Sequence, residues 1–167
     1  MDPAAAAAVR APELEDLFMP NKYLVVDDDA DFRDLLCNVF CDDTDIMTAQ
    51  NGREALALME AHRFDIVLTD YNMPVMGGIE FLERAGETDS DIYLHSILMT
   101  GSSDKEVMLF SERSGVTLMI KPFPISQLKE TVKVLLEGRN FDHPRAEGVA
   151  VAFRLNTKIP ADEGASL

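Results

Sequence analysis

Four apolar runs of this chain end on polar side chains whose types belong together chemically. YLVVDDD ends in the acids Asp27, Asp28 and Asp29, and FDIVLTD ends in the single acid Asp70. SILMTG delivers the hydroxyl of Thr100, and TLMIKPF delivers the ammonium of Lys121 just before Pro122. Runs of four to six apolar residues bounded by polar ones suit strands of a parallel sheet covered on both faces. In open α/β sheets ligands bind outside the carboxyl ends of the strands, so Asp27, Asp28 and Asp70 are expected to converge on one acidic pocket. Such a pocket repels itself unless a cation enters, and here a donor hydroxyl and a fixed positive charge stand beside it.

The elements that must hold these residues can be read in order. After the strand at Tyr23 to Val26, the residues Phe32, Leu35, Leu36, Val39 and Phe40 recur at helical spacing and predict one buried helix face. Ile46 to Ala49 reads as a second strand, Asn51-Gly52 as a turn, and Arg53 to Ala61 as a helix with Ala55, Leu56 and Met59 inward. After the strand ending at Asp70, the loop YNMPVMGG lets the chain bend sharply before a helix from Ile79 to about Ala85. Ser102, Ser103 or Asp104 is expected to cap the next helix, which stops near Gly115, and a last helix runs from about Ile125 to Glu137. Strands alternating with helices predict an α/β fold, a doubly wound sandwich built on a five-stranded parallel sheet with right-handed crossovers.

Composition narrows the partners. The chain has 167 residues, with 15 basic against 30 acidic side chains and a formal net charge of −15. No direct nucleic-acid partner is expected, since phosphate-backbone binding needs clusters of Lys and Arg. The length predicts one domain plus tails. No run is apolar enough to span a bilayer and MDPAAAAAVR lacks the features of a signal peptide, so no membrane insertion and a cytoplasmic location are expected. Cys37 and Cys41, one helical turn apart, predict buried or half-buried thiols rather than a redox pair. His62, His95 and His143 are too dispersed for a metal site and are expected at the surface.

An acid pair, a single Asp, a Thr and a Lys-Pro, each at a strand end and in this order, resemble the receiver domain of two-component response regulators. The resemblance covers roughly Lys22 to Gly138 and implies the flavodoxin-like strand order 2-1-3-4-5. It implies that Asp70 accepts a phosphoryl group, that Thr100 is the switch hydroxyl and that Lys121 is the charge facing a phosphoryl oxygen. It further implies Mg²⁺ as the cofactor, held by Asp27, Asp28, Asp70 and the backbone carbonyl of Asn72, with Asp27 acting through water. The implied partners are a sensor histidine kinase or phosphotransfer protein and an unidentified downstream protein target. Such a protein is not an enzyme in the usual sense, because it catalyses only its own phosphorylation and dephosphorylation. One position departs from the family: where an aromatic usually stands three residues before the lysine, this chain has Leu118.

Rival readings fit less well. Asp27, Asp29 and Asp31 mimic an EF-hand, but Phe32 replaces its glycine and Asn38 its closing glutamate. For Asp29 a helix N-cap is the better reading. A haloacid dehalogenase-type phosphotransferase would need a second Asp where Asn72 stands. A receiver fold that takes no phosphate and serves only as an interaction module is the remaining alternative. Residues 1–21 are expected to form an extension, partly helical over ELEDLF or disordered, and 22–138 the receiver domain. The tail 139–167 is too short for a helix-turn-helix or cyclase output domain, so the expectation is a stand-alone regulator. Within it Val149, Val151, Phe153 and Leu155 alternate as in a half-buried strand, expected to dock on its own domain or pair with a second chain in a homodimer.

Overall fold

A computed structural model describes residues 20–42 and 44–139. The elements run β1 (Asn21–Val26), α1 (Ala30–Phe40), β2 (Thr44–Ala49), α2 (Gly52–Ala61), β3 (Ile66–Asp70), α3 (Gly78–Gly86), a 3-10 turn (Ile92–His95), β4 (Ser96–Thr100), α4 (Lys105–Ser114), β5 (Thr117–Ile120) and α5 (Ile125–Arg139). All strand pairs are parallel and the sheet order is β2-β1-β3-β4-β5. The expected fold class and order both hold. The ELEDLF segment, His143 and the alternating tail lie outside the described residues.

Alternation along the strands divides the core in two. Leu24, Val26, Val67 and Leu98 face one side, where Ala55 of α2, Phe81, Leu82 and Ala85 of α3 and Val107 and Phe110 of α4 cover them. Tyr23, Val25, Ile66, Leu68, Ile97, Met99 and Met119 face the other, under Leu36 of α1 and Leu128, Val132 and Leu135 of α5. β3 and β4 are buried at every position because helices cover both faces, which is why they read as unbroken apolar runs. Complete burial of one such leucine contributes about 1.5–3 kcal/mol.

The helix ends follow local chemistry. Asp29 caps α1 as expected, its carboxylate accepting from the N–H groups of Asp31 and Phe32. Asn51 caps α2, its side-chain oxygen accepting from the N–H groups of Arg53 and Glu54 that the helix leaves open, and the Glu54 carboxylate reaches back to accept the N–H of Gln50. α4 ends where Gly115 turns left-handed at φ 79.

Some residues depart from expectation. Leu35 is 45 % exposed because it sits about 100° round the helix from Leu36, off the stripe that Phe32, Leu36 and Phe40 share. Cys37 is half-buried but Cys41 is exposed, since α1 has ended there and the chain is crossing to β2. His95 is buried rather than at the surface, because it leads into β4, an interior strand buried at every position. His62 is half-buried with its ring edge-on to Phe64. Among the described residues no buried side-chain nitrogen or oxygen lacks a hydrogen-bond partner.

Candidate functional site

Strand register brings the site together. Val26 of β1 lies opposite Thr69 of β3, which sets Asp27 level with Asp70 one residue beyond. Both acids continue the facing of Val25 and Leu68, toward α1 and α5, and Lys121 continues that of Met119 from β5. Lys121 Nζ bridges the two, 3.0 Å from Asp27 Oδ2 and 2.7 Å from Asp70 Oδ1. Its ammonium also lies 4.1 Å from the centroid of the Phe32 ring, a cation-π contact from the first turn of α1. The Lys121–Pro122 peptide is cis, and the Lys121 N–H donates to the Thr100 carbonyl at 2.6 Å.

The remaining oxygens are also engaged. Asp27 Oδ1 accepts the Asp29 N–H at 2.9 Å, and the Asp27 carbonyl accepts from Arg33 Nη1. Asp70 Oδ2 accepts the Asn72 N–H at 2.7 Å. Asp70 is 7 % exposed and Asp27 2 %, whereas Asp28 is exposed and faces a cleft of about 650 Å³ that it shares with Tyr71, Asn72 and Glu106. Gly78 is required behind the acid. A Cβ there would land on the Asp70 carbonyl oxygen and 2.8 Å from Leu98 Cδ1, so only glycine lets α3 approach β3 this closely.

Burial pushes the Asp70 carboxyl above its ordinary pKa; the bond and charge of Lys121 and the Asn72 N–H oppose the rise, and the charge of Asp27 adds to it. For Lys121 burial pulls the pKa down, but bonds to Asp70 and Asp27 and their charges outweigh it and leave the ammonium above its ordinary value. The cation therefore stays charged between two acids.

Thr100 is placed differently. It is 1 % exposed, and its hydroxyl donates to the Ser102 carbonyl and accepts the Ser102 N–H, both at 3.1 Å. The sequence-predicted residues thus split: Asp27, Asp70 and Lys121 meet directly, Asp28 and Asn72 line the adjoining cleft, and Thr100 closes a local turn at the next strand end. Asp104 stands at the α4 N-cap without a side-chain capping bond, because its carboxylate accepts the Ser102 hydroxyl at 2.7 Å. Sequence reasoning missed Phe32 and Arg33 as neighbours of the site, although both lie in the first turn of α1, directly after the acid run. It also missed the hydrogen bond from Tyr71 to Glu106, which joins residues 35 apart at 3.0 Å and leaves no local signal.

The donor set suits a hard cation. Every candidate ligand atom is oxygen, and Mg²⁺ takes one or two carboxylates plus waters and substrate phosphate rather than an all-protein cage. Among the described residues no three His, Cys, Asp or Glu side chains are gathered closely enough to hold a metal, since Lys121 occupies the space between Asp27 and Asp70.

The response regulator receiver domain model matches residues 23–133. This chain belongs to the response regulator receiver family. It is 36% identical over 120 residues to sporulation initiation phosphotransferase F of Bacillus subtilis, covering 71% of this chain and 95% of that protein. A response regulator receiver protein of Anaeromyxobacter is 35% identical over 106 residues, which are 63% of this chain and 43% of the relative, so the chain spans less than half of that protein. The solved structure of Vibrio cholerae chemotaxis protein CheY4 superposes with a TM-score of 0.63 at 32% identity, over 70% of this chain and 99% of that one. Receiver domains are signalling modules of two-component systems. Neither the haloacid dehalogenase reading nor the non-phosphorylated module gains support from these matches.

Proposed function

We propose that Asp70 accepts a phosphoryl group from the phosphohistidine of a sensor histidine kinase or phosphotransfer protein, and that the phosphorylated receiver changes partner binding or relays the group onward. The observation that carries this is the single ammonium of Lys121 held between Asp70 and Asp27 at the carboxyl ends of three strands. An Asp70 oxygen attacks phosphorus, the P–N bond to imidazole breaks, and an acyl phosphate forms as the imidazole leaves with the electron pair. Negative charge spreads over the three equatorial oxygens of the moving group, so positioning and charge are what the protein must supply. Lys121, released from Asp70, faces one oxygen; Thr100, turned from Ser102, donates to another. Asp28, Asp70 and the Asn72 carbonyl, with Asp27 through water, would hold Mg²⁺. Bound there, the ion neutralises phosphoryl oxygens.

The reading places the protein in the cytoplasm, where kinases present their phosphohistidines; among the described residues no helix is long and apolar enough to cross a membrane. The test is labelling with acetyl phosphate and Mg²⁺, the modified residue located by mass spectrometry. Wild type is expected to carry phosphate on Asp70 only with Mg²⁺ present, and Asp70→Asn to carry none. Phosphate retained on that variant overturns the assignment.

A further inference from the structure

Tyr71 follows Asp70 directly and its backbone is pinned to the strand ends: its N–H donates to the Met99 carbonyl at 2.7 Å and its carbonyl accepts the Gly78 N–H at 3.0 Å. Its side chain leaves this anchored position and its hydroxyl donates to Glu106 Oε2 in the first turn of α4. Apart from Val107, which is fully buried, that turn is lightly held. Residues 103–106 are exposed, Asp104 gives α4 no side-chain cap, and Thr100 and Ser102 are engaged with their own loop. The body of α4 is held firmly, by buried Val107 and Phe110 and by the Ser111 hydroxyl on the Val116 carbonyl. On β5, Leu118 is half-buried against the α2–α4 core and has no polar group with which to respond to the site.

We propose that the Tyr71–Glu106 hydrogen bond is a link, beside the turn held by Thr100, by which the state of Asp70 reaches α4. The inference rests on Asp70 being the phosphoryl acceptor. A phosphoryl group there turns a carboxylate of one negative charge into an acyl phosphate of close to two and draws on Lys121 and the Asn72 N–H, so the backbone from Asp70 to Asn72 must adjust. Tyr71 moves with that backbone, and its hydroxyl carries the displacement to Glu106, which lines the same cleft as Asp28, Glu80 and Glu83. Tyr71 and Glu106 are positioning residues: neither touches the reacting atoms.

The experiment compares backbone amide NMR shifts before and after adding Mg²⁺ and beryllofluoride, a phosphoryl mimic, in the full chain. In wild type the amides of Asp70 to Asn72 and of Lys105 to Phe110 shift together. In Tyr71→Phe and Glu106→Ala the amides at Asp70 still shift, while those of the first α4 turn respond at least about twofold less. Glu106→Gln keeps an oxygen acceptor and keeps the response. A bond that served stability alone would lower the melting temperature in Tyr71→Phe and leave the α4 response at the wild-type level, and that result overturns the proposal. If wild type shows no shift at Asp70 either, the acceptor reading has failed and the link falls with it.

Discussion

The carboxyl end of the sheet has two halves that are organised in different ways. On the β1–β3 side, Asp27 and Asp70 face the α1–α5 layer and Lys121 joins them in one partly buried ion cluster. On the β4 side, Thr100 follows the facing of Leu98 toward the α2–α4 layer, and its hydroxyl bonds within its own turn. Opposite charges in a partly buried site pull each other into contact without help from a ligand. A neutral hydroxyl satisfies itself with the nearest backbone, so it turns toward the site only when something there accepts its proton. One half is thus already built, and under the proposed function the other is completed by phosphorylation.

Removing Lys121 should break the built half most severely. Lys121→Met leaves two buried acids without their cation, and we expect a loss of about 3 kcal/mol, the low end for a broken buried pair because the lysine side chain is 28% exposed. Urea unfolding at neutral pH measures it; a loss under about 1 kcal/mol would mean that water alone reconciles the two acids. Thr100→Val tests the local half and should cost about 1 kcal/mol, the net worth of one hydrogen-bonded turn, while leaving the ion cluster intact. A loss as large as that of Lys121→Met would erase the distinction between the halves.

The third effect is one of sign. Because burial raises the Asp70 pKa, the folded protein binds that proton more tightly than the unfolded chain, and ionised Asp70 costs stability above its folded pKa. The cost fades as pH falls through the folded pKa toward the ordinary carboxylate value. Asp70→Asn should therefore be more stable than wild type at neutral pH, with the gap closing in acid. Equal stability at both, by denaturant titration, would show that Lys121 fully compensates the burial.

Strand ends were legible in the sequence because both faces of the sheet are covered, so each central strand is an apolar run with a sharp polar boundary. The same runs give the facing of each residue. Counting in steps of two from Leu68 to Asp70 and from Leu98 to Thr100 separates the two halves, provided one knows which face each leucine takes. That knowledge comes only with the helices packed. The buried His95 and the exposed Leu35 escaped for a related reason: residue type and spacing do not report where an element sits relative to the layer covering it. Phe32 under Lys121 and Glu106 against Tyr71 are contacts between distant segments, and no local pattern marks them.

Gly78 bears on how the molecule can move at all. Its missing side chain lets α3 rest directly on the Asp70 carbonyl and Leu98, and its N–H is tied to the Tyr71 carbonyl. A helix seated backbone to backbone has no travel left toward the strand, so nothing happening at Asp70 can be stored by compressing that side. Displacement must leave through a neighbour with slack. The first turn of α4, reached through a single hydroxyl and capped by no side chain, has that slack. One absent methyl group thereby gives the α2–α4 layer a stiff flank and a compliant one.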